Sequence, residues 1–491
     1  MGRARIRIWF VGSCCAILAL ACAQAARAQA PAATVTALMV SDIHFEPFWD
    51  PAKAAQLAAA PVTQWSAILA APDSTDRAQR FAELQTACHA KGTDTSYRLL
   101  NSSLSAMRAH AAGAAFITLS GDLMAHDFSC KFHTLFPQRT SAEYGALAVK
   151  TVAFVEFELH GSFPRAVLFT ALGNNDSDCG DYQLDAHSSF LSQVGADIAL
   201  PVGVSQAEQT QVLHTFVATG DYNVPMPAPF EHARIIVLDN LFMSKRYATC
   251  SSTSDRKTAA GQITWLRDQL EMARRKHDKV WFMAHIPPGV DPYSTARKMR
   301  DVCGGEKAEM FLASDALAGT LADFGDVIRL AIFAHTHMDE LRLLEPPVRV
   351  SPGASPAQPA VAVKMVSSIS PVDGNNPSFT VARVNPATAE LMDYKVYAAS
   401  NQTGADTTWS KEYDFADTYH EPAFTASTVA DLIAGFRADR TAQTPASQAY
   451  LRDYFVGDRS ALLKPFWPQY VCALANSTSE AYRSCVCSSG K

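Results

Sequence analysis

The chain has 491 residues, of which 48% are hydrophobic and 18% are charged, and its formal net charge is −6. This composition is typical of a globular protein with a substantial core, and the length allows one large domain with a smaller one beside it. The sequence contains no long run rich in lysine and arginine, so it gives little support to a nucleic-acid-binding role.

The N-terminus has the features of an export signal. Three arginines lie within the first seven residues, an apolar run follows over 9–22, and Ala28-Gln29-Ala30 fits a cleavage site. The apolar run is too short to span a bilayer comfortably. We therefore predict an exported protein, periplasmic or secreted, whose residues 1–30 are removed as a signal peptide. Ala19 stands where a lipoprotein signal usually has leucine, which argues against lipidation at Cys22.

Eight cysteines follow the predicted signal, and this even count favours disulfide bonds in an exported chain. Their wide spacing argues against a structural zinc site, which usually has closely spaced cysteine pairs. The pairing is not deducible from the sequence: Cys485 and Cys487 each pair elsewhere, or one of them closes a small loop with Cys472. The eight are Cys88, Cys130, Cys179, Cys250, Cys303, Cys472, Cys485 and Cys487.

Short apolar runs alternate with helix-like segments up to about residue 335. The apolar runs are rich in β-branched and aromatic residues and end at polar or glycine-containing turns, as buried strands do. Such alternation predicts an α/β core. The predicted strands cover 34–41, 114–120, 166–172, 233–239, 279–284 and 329–334, and helices are predicted, for example, over 96–112, 142–160 and 261–276.

The pattern then changes, and three successive runs are consistent with strands of a second sheet. The last segment has apolar residues at helical spacing and contains three of the eight cysteines. We predict an α/β fold, a two-sheet sandwich flanked by helices, with a helical, cysteine-containing C-terminal subdomain. The late strands are predicted near 361–369, 378–384 and 388–397, and the domains are a main domain over 33–400, a linker over 401–423 and the helical subdomain over 424–491.

Five short polar motifs follow predicted strands along the chain. Together they supply carboxylate or amide oxygens and four imidazoles, about what two adjacent divalent ions need when O and N atoms bind them. Functional groups of open α/β sheets collect at the C-terminal ends of strands, so we expect these motifs to meet. The motifs are Asp42-Ile43-His44, Gly121-Asp122, Gly173-Asn174-Asn175-Asp176, Ala284-His285 and Ala334-His335-Thr336-His337.

This chemistry favours phosphoester hydrolysis. Two adjacent ions hold the phosphoryl oxygens, lower the pKa of a bridging water and neutralise charge in the transition state. The sequence has no G-x-S-x-G element, and no cysteine is an obvious nucleophile. The predicted metal ligands are Asp42, His44, Asp122, Asn174, His285, His335 and His337.

The motif set resembles that of the calcineurin-like metallophosphoesterase superfamily, whose pattern is D-x-H, G-D, G-N-H-D/E, an isolated His and G-H-x-H. The resemblance covers roughly residues 36–340 and implies two divalent ions, with zinc as the first choice and manganese or iron as alternatives. It implies a first metal held by Asp42, His44 and His337 and a second held by Asn174, His285 and His335, with Asp122 bridging.

Two positions depart from that pattern. Ala334 replaces the usual glycine, which should matter little. Asn175 replaces a histidine that, in the family, contacts the phosphate and helps to protonate the leaving group. Asn175 is able to hydrogen-bond a phosphoryl oxygen but not to act as a general acid.

A closer resemblance is to the acid sphingomyelinase-like phosphodiesterases within that superfamily. In this reading His126 replaces the missing acid, so His126 and Asn175 are the predicted catalytic residues. The resemblance is carried by Ser41-Asp42-Ile43-His44-Phe45-Glu46, Gly121-Asp122-Leu123-Met124-Ala125-His126-Asp127, Asn376-Pro377-Ser378-Phe379 and the cysteine-containing tail that begins at Tyr470-Val471-Cys472.

We therefore predict an exported phosphoric ester hydrolase that cleaves a phosphodiester, of sphingomyelinase-like or nucleotide type, by a metal-bridged hydroxide. The alternatives are an endopolyphosphatase or a phosphomonoesterase on the same fold, and a non-catalytic binding protein that retains the metals. The expected partner is a small phosphate ester, and transient contact with a lipid or membrane surface stays open. Neither nucleic acid nor a protein partner is implied.

Residues around the motifs allow further expectations. The acidic cluster Asp176, Asp178 and Asp181 is expected to be a solvated loop, and its charge counts against a long polyanion as substrate. Trp49 and Tyr182 are expected to be packing residues, with a place in a substrate pocket as the alternative.

Overall fold

The structure is a computed structural model that describes residues 34–198, 202, 205–346, 360–400, 408–457 and 463–488. The predicted signal peptide, residues 1–30, lies outside the described residues. From Val35 onward the chain clusters into one unit, so the predicted helical subdomain shares that unit with the main domain.

Two sheets of six strands each form the centre of the described part of the chain. Their strand orders are β12-β11-β10-β1-β2-β3 and β4-β5-β6-β7-β9-β8. The strands are β1 (Val35–Val40), β2 (Phe116–Leu119), β3 (Val167–Thr170), β4 (Tyr222–Pro225), β5 (Ala233–Leu238), β6 (Lys279–Ala284), β7 (Ile328–Phe333), β8 (Glu340–Leu344), β9 (Val361–Met365), β10 (Ser378–Val384), β11 (Leu391–Ala398) and β12 (Ser410–Asp414).

Each sheet contains a block of adjacent parallel strands, three in the first sheet and four in the second. In the first sheet Val40 pairs with Leu119, and Leu119 pairs with Thr170, so β1, β2 and β3 end at the same level. In the second sheet β5, β6, β7 and β9 are parallel. These strands are almost fully buried, as parallel strands covered on both faces are. The loops that follow them are therefore brought to one edge of each sheet.

The helices surround the two sheets. Sequence signals set several of their starts: the Ser96 side chain accepts a hydrogen bond from the Leu99 N–H, and Thr140 with Glu143 forms a capping box. The helices are α1 (Ala54–Ala59), α2 (Trp65–Ala70), α3 (Arg77–Ala87), α4 (Tyr97–Ala111), α5 (Phe128–Leu135), α6 (Ser141–Ser162), α7 (Ser189–Ile198), α8 (Gln206–Thr219), α9 (Arg256–Lys276), α10 (Pro292–Arg297), α11 (Ala316–Ala322), α12 (Phe415–Tyr419), α13 (Ala426–Ala438), α14 (Pro445–Asp453), α15 (Trp467–Ala475) and α16 (Ser479–Ser488).

The predicted two-sheet α/β sandwich with a helical C-terminal region is confirmed. The six early strands are β1, β2, β3, β5, β6 and β7, and the three predicted helices are α4, α6 and α9. The assignment of the late strands to a separate second sheet is wrong, because β9 joins β7 in one sheet while β10 and β11 join β1 in the other. Apolar periodicity identifies a strand but not the strand with which it pairs.

The predicted linker over 401–423 also differs from the structure. Its described part contains β12, which pairs with β11 at the sheet edge, and α12, which follows directly. Ser410 and Lys411 are exposed, because an edge strand faces solvent with polar side chains. These polar side chains give the segment the composition of a linker, although it forms a strand.

Four disulfides confirm the expectation from the even cysteine count. Cys472 closes a small loop with Cys485, and Cys487 pairs with Cys303 in the main domain. The other two bonds join Cys88 to Cys130 and Cys179 to Cys250. Disulfides persist in oxidising compartments, which agrees with export. Among the helices that the structure describes, none is both long and apolar enough to cross a bilayer.

Candidate metal centre

The predicted ligands lie in the loops that follow β1, β2, β3, β6 and β7. Five of them have a positive φ in the left-handed region: Asp42 and His44 at 45°, Asp122 at 55°, His335 at 73° and His337 at 66°. Residues other than glycine adopt this conformation rarely, and it costs on the order of 1–3 kcal/mol per residue. The chain therefore turns sharply where β1, β2 and β7 end, and the side chains converge.

Asp42, His44 and His337 form one side of the centre. Nε2 of His44 is 3.1 Å from Nε2 of His337, and Asp42 Oδ1 lies 3.8 Å and 3.5 Å from those two nitrogens, respectively. Nδ1 of His44 lies 2.9 Å from the Met124 carbonyl oxygen, to which it donates, so Nε2 keeps its lone pair for an ion. The three side chains are buried.

His285 and His335 form the other side, and Asn174 stands in the loop after β3. Nδ1 of His285 is 2.8 Å from the Ser120 carbonyl oxygen and donates to it, which again leaves Nε2 as the ligand atom. The His285 and His335 rings are 5.2 Å apart. The amide nitrogen of Asn174 donates to Asp181 Oδ1 at 2.9 Å, so the amide oxygen is turned away from that contact.

Asp122 stands between the two sides. Its Oδ2 is 3.5 Å from Nε2 of His44 and 3.1 Å from Nε2 of His285. Burial opposes the ionised form, yet His285 and His44 hold the pKa of this carboxyl well below its usual range. The carboxylate is thus ionised and reaches both sides, as a bridging ligand must.

Two glycines permit this close approach. A Cβ on Gly121, whose φ is +99°, would lie 2.7 Å from Nδ1 of His285. A Cβ on Gly173 would lie 2.1 Å from Asp122 Oδ1. Both contacts are far below a normal van der Waals distance, so only glycine fits at either position.

The donor set fits two divalent ions. Both carboxylate oxygens of Asp42 and Oδ1 of Asn174 are buried without a hydrogen-bond partner among the described residues. An unpartnered buried polar atom costs about 1–3 kcal/mol, so a gathering of such atoms indicates a ligand. Mixed O and N donors of this kind suit zinc, manganese or iron. The structure therefore brings six of the seven predicted ligands to one centre and places Asn174 next to Asn175, which contacts Asp122.

His126 lies beside the first side of this centre. Its ring stacks on His44 with the centroids 3.9 Å apart, and the side chain is 35% exposed, so it reaches solvent. Asp94 accepts from the His126 backbone N–H at 2.8 Å and lies 3.0 Å from Nδ1. Burial lowers the pKa of His126, but Asp94 outweighs this effect and raises that pKa to about 9.

Asp94 is a residue that the sequence analysis missed. It is buried, and it also accepts a hydrogen bond from Ser370 Oγ at 2.9 Å. Asp94 stands in the loop before α4, 32 residues from His126. No motif marks it, because its contact with His126 exists only once the chain is folded.

Asn175 is turned onto the bridging carboxylate. Its backbone N–H donates to Asp122 Oδ1 at 2.9 Å, and its side-chain amide donates to Oδ2 at 2.9 Å. It is buried. Asn175 thus orients Asp122, and a contact with substrate phosphate stays a prediction.

The expectation of a solvated acidic loop is wrong for Asp176. This residue is fully buried and accepts hydrogen bonds from the backbone N–H groups of Leu123, Met124 and Gly173. Burial raises the pKa of its carboxyl to about 7. Asp176 ties two ligand loops together, and its fixed position in the motif after Asn174 was the available signal.

The two aromatic candidates differ in their place. Trp49 packs on Phe81 with ring centroids 5.2 Å apart, as expected for a packing residue. The Tyr182 hydroxyl lies 3.3 Å from Nε2 of His335, at the second side of the centre. Above its ring stands the Arg246 guanidinium, at 3.8 Å from the centroid.

The chain is similar to several phosphodiesterases over most of its length. Acid sphingomyelinase-like phosphodiesterase 3b of Homo sapiens is 26% identical over 410 residues, which cover 81% of this chain and 81% of that protein. Sphingomyelinase phosphodiesterase C of Dictyostelium discoideum is 24% identical over 346 residues, 67% of this chain and 68% of that protein. A cyclic GMP-AMP phosphodiesterase of Mus musculus is 24% identical over 406 residues, 80% and 82%. The predicted resemblance to acid sphingomyelinase-like phosphodiesterases is therefore confirmed.

Similarity to solved structures is weaker. A dimetal phosphatase from Danio rerio has a TM-score of 0.39 and 11% identity, with 77% of this chain and 98% of that chain covered. At a TM-score of this size the likeness supports no conclusion about this chain. No family model matches the sequence.

Proposed function

We propose that this chain is an exported, metal-dependent phosphodiesterase, with zinc as its resident metal. The observation that carries the proposal is the convergence of six side chains with O and N donors, among them the buried, unpartnered carboxylate of Asp42 and the ionised Asp122. The relatives named as phosphodiesterases support the same class of phosphoric ester hydrolase. The four disulfides support the exported location.

Asp42, His44 and His337 would hold one ion and Asn174, His285 and His335 the other, with Asp122 between them. When bound, such ions polarise the phosphoryl oxygens and lower the pKa of a coordinated water. The backbone carbonyls of Met124 and Ser120 fix the His44 and His285 rings with Nε2 presented inward. Asn175 keeps Asp122 in its orientation through two hydrogen bonds.

His126 is the proton donor to the leaving oxygen in this proposal. It lies on the His44 side of the centre, and Asp94 holds Nδ1, so Nε2 is the nitrogen that faces substrate. Its partial exposure allows the proton to be replaced from solvent. The side chain of Asn175 cannot act as a general acid, so in this proposal the proton comes from His126.

The test uses the protein stripped of metal and reloaded with zinc or manganese. We would compare hydrolysis of bis-p-nitrophenyl phosphate, p-nitrophenyl phosphate and p-nitrophenylphosphorylcholine by the native chain and by Asp122→Asn. The matched control is Asp268→Asn, an exposed position on α9. Metal content is measured alongside, because loss of a bridging carboxylate should release metal as well as activity.

We expect metal-dependent cleavage of the diester, lost in Asp122→Asn and kept in Asp268→Asn. Cleavage of the monoester alone would make the chain a phosphomonoesterase. Full metal binding without release from any of the three esters would overturn the phosphodiesterase proposal. In that case polyphosphate cleavage or a non-catalytic role would have to be tested.

A further inference from the structure

Arg246 stands at the second side of the metal centre with its side chain largely exposed. Its side chain is 67% exposed, although the guanidinium is held 3.8 Å above the Tyr182 ring. Tyr182 in turn contacts His335 through its hydroxyl at 3.3 Å. The positive charge is therefore one aromatic ring away from a predicted metal ligand.

The loop that carries Arg246 is fixed to the loop that carries Tyr182. The Cys179–Cys250 disulfide joins the two, and the Ala248 N–H donates to the Tyr182 carbonyl oxygen at 3.0 Å. Stacking on an aromatic ring holds a guanidinium in a defined plane while its N–H edges stay accessible. Arg246 is thus presented toward the site in a defined position, unlike a freely moving surface arginine.

Lys245, the residue before Arg246, differs from it because its ammonium group is closely paired with a carboxylate. Nζ of Lys245 lies 2.8 Å from Glu309 Oε2, and Arg300 lies 2.7 Å from the other oxygen of that carboxylate. Within the described part of the chain, Arg246 has a single, longer ion pair of 3.5 Å with Asp181. The other oxygen of Asp181 accepts from Asn174 at 2.9 Å, so this carboxylate positions a metal ligand and the guanidinium together.

The two sides of the centre have different neighbours. His126, the proposed acid, stacks on His44 at the first side, so the leaving group of a bound ester faces that side. The substituent that stays on the phosphorus then faces His335, Tyr182 and Arg246 at the second side. A cation at this place favours a negatively charged group on that substituent and disfavours a positively charged one.

We propose that Arg246 and Tyr182 form an anion subsite that selects phosphodiesters carrying a second anionic group on the substituent retained after cleavage. A nucleotide with an additional phosphate belongs to this class, whereas a phosphocholine ester, with its quaternary ammonium, does not. The inference rests on the proposed function and refines its substrate class. Arg246 also offsets the charge of Asp181, so the acidic cluster counts less strongly against an anionic substrate.

The test compares thymidine 5′-(p-nitrophenyl phosphate) with the same compound carrying a 3′-phosphate. Both release nitrophenolate and differ only by the second anion. We expect the native chain to prefer the 3′-phosphorylated substrate in kcat/KM, mainly through KM, and Arg246→Met to reduce that preference about tenfold, the effect of one charged hydrogen bond. Lys245→Met, which removes the same charge one residue away, should keep it. Hydrolysis of p-nitrophenylphosphorylcholine should rise in Arg246→Met.

A second measurement does not depend on turnover. Titration calorimetry would compare thymidine 3′,5′-bisphosphate with thymidine 5′-phosphate on the zinc-loaded chain. Tighter binding of the bisphosphate that is lost in Arg246→Met and kept in Lys245→Met supports the subsite. If this result is found but none of the esters is cleaved, the proposed function fails and the anion subsite stands. An equal preference in the native chain and Arg246→Met, in kinetics or in binding, overturns the subsite.

Discussion

The pH dependence of stability should reveal that Glu156 is buried in its neutral form. This residue of α6 is 3% exposed, and its Oε1 accepts a hydrogen bond from Thr170 Oγ1 at 2.6 Å. Burial raises the pKa of Glu156 to about 8, with a smaller contribution from Asp197, although Thr170 opposes the rise. Nε2 of His160 lies 4.0 Å from Oε2, and burial lowers the pKa of this histidine.

The direction of this pH dependence follows from the linkage between proton binding and folding. The folded-state pKa of Glu156 lies above its ordinary value of 4.5, so the native state holds the proton more tightly than the unfolded chain. The contribution of Glu156 to the free energy of unfolding is therefore fully present below about pH 4.5 and is lost as the pH rises toward 8. Each unit of pKa difference corresponds to about 1.4 kcal/mol, which sets an upper limit of about 5 kcal/mol for the loss.

Glu156→Gln keeps the acceptor for Thr170 and removes the titration. We expect the variant to match the native chain within about 1 kcal/mol at pH 5 and to exceed it by a few kcal/mol at pH 8. The assay is denaturant unfolding of the metal-free, disulfide-intact protein at half-unit pH steps, with the exposed Glu83→Gln as control. Equal pH slopes for the native chain and Glu156→Gln would refute a neutral buried Glu156. Asp221, whose pKa burial raises to about 7, should leave a residual slope in the variant.

Three further outcomes are expected. His126→Ala should slow esters with poor leaving groups by about 10²-fold or more and nitrophenyl esters far less, and equal losses on both would remove His126 as the acid. Gly173→Ala should lower both metal content and turnover, the latter by about 10²-fold, because its Cβ meets the bridging carboxylate, whereas Gly113→Ala, whose Cβ meets nothing within 4 Å, should not. Replacing Cys303 and Cys487 with serine should lower the free energy of unfolding by about 2–5 kcal/mol, measured by denaturant titration, and leave metal affinity unchanged. A loss of metal in that double variant would instead tie the C-terminal helices to the centre.

The features best predicted from the sequence are those that a single strand and the residues directly after it determine. A buried parallel strand is a continuous apolar run, and a ligand at its end follows immediately in the sequence, so Asp42 and His285 are visible as strand-plus-motif units. The parallel blocks then bring these strand ends to one place without further information. Pairing between distant strands has no such local signal, and for this reason the places of β9, β10 and β11 were wrong.

Residues that act through other residues were the ones missed. Asp94 reaches His126 across 32 positions, and Arg246 lies over a tyrosine 64 positions earlier in the chain. Neither follows a strand or belongs to a motif. Asp176 was read as solvated although it stands inside a motif, since a carboxylate in a turn-like sequence has the same appearance whether it binds backbone N–H groups or water.

The backbone gives independent support to the choice of ligands. Five of the seven predicted ligands have left-handed φ values, whereas only twelve other non-glycine residues in the described part of the chain do. At about 1–3 kcal/mol each, this conformation costs as much as the whole net stability of a typical domain, so the surrounding contacts must hold it in place. Glycine would relieve that strain at every one of these positions. Aspartate and histidine tolerate this conformation better than most residues, and His89 and His277 adopt it outside the centre, so the φ values alone do not identify a ligand. The five predicted ligands differ from those residues because they cluster directly after β1, β2 and β7 and turn their side chains toward one another, which is best explained if these side chains bind ions.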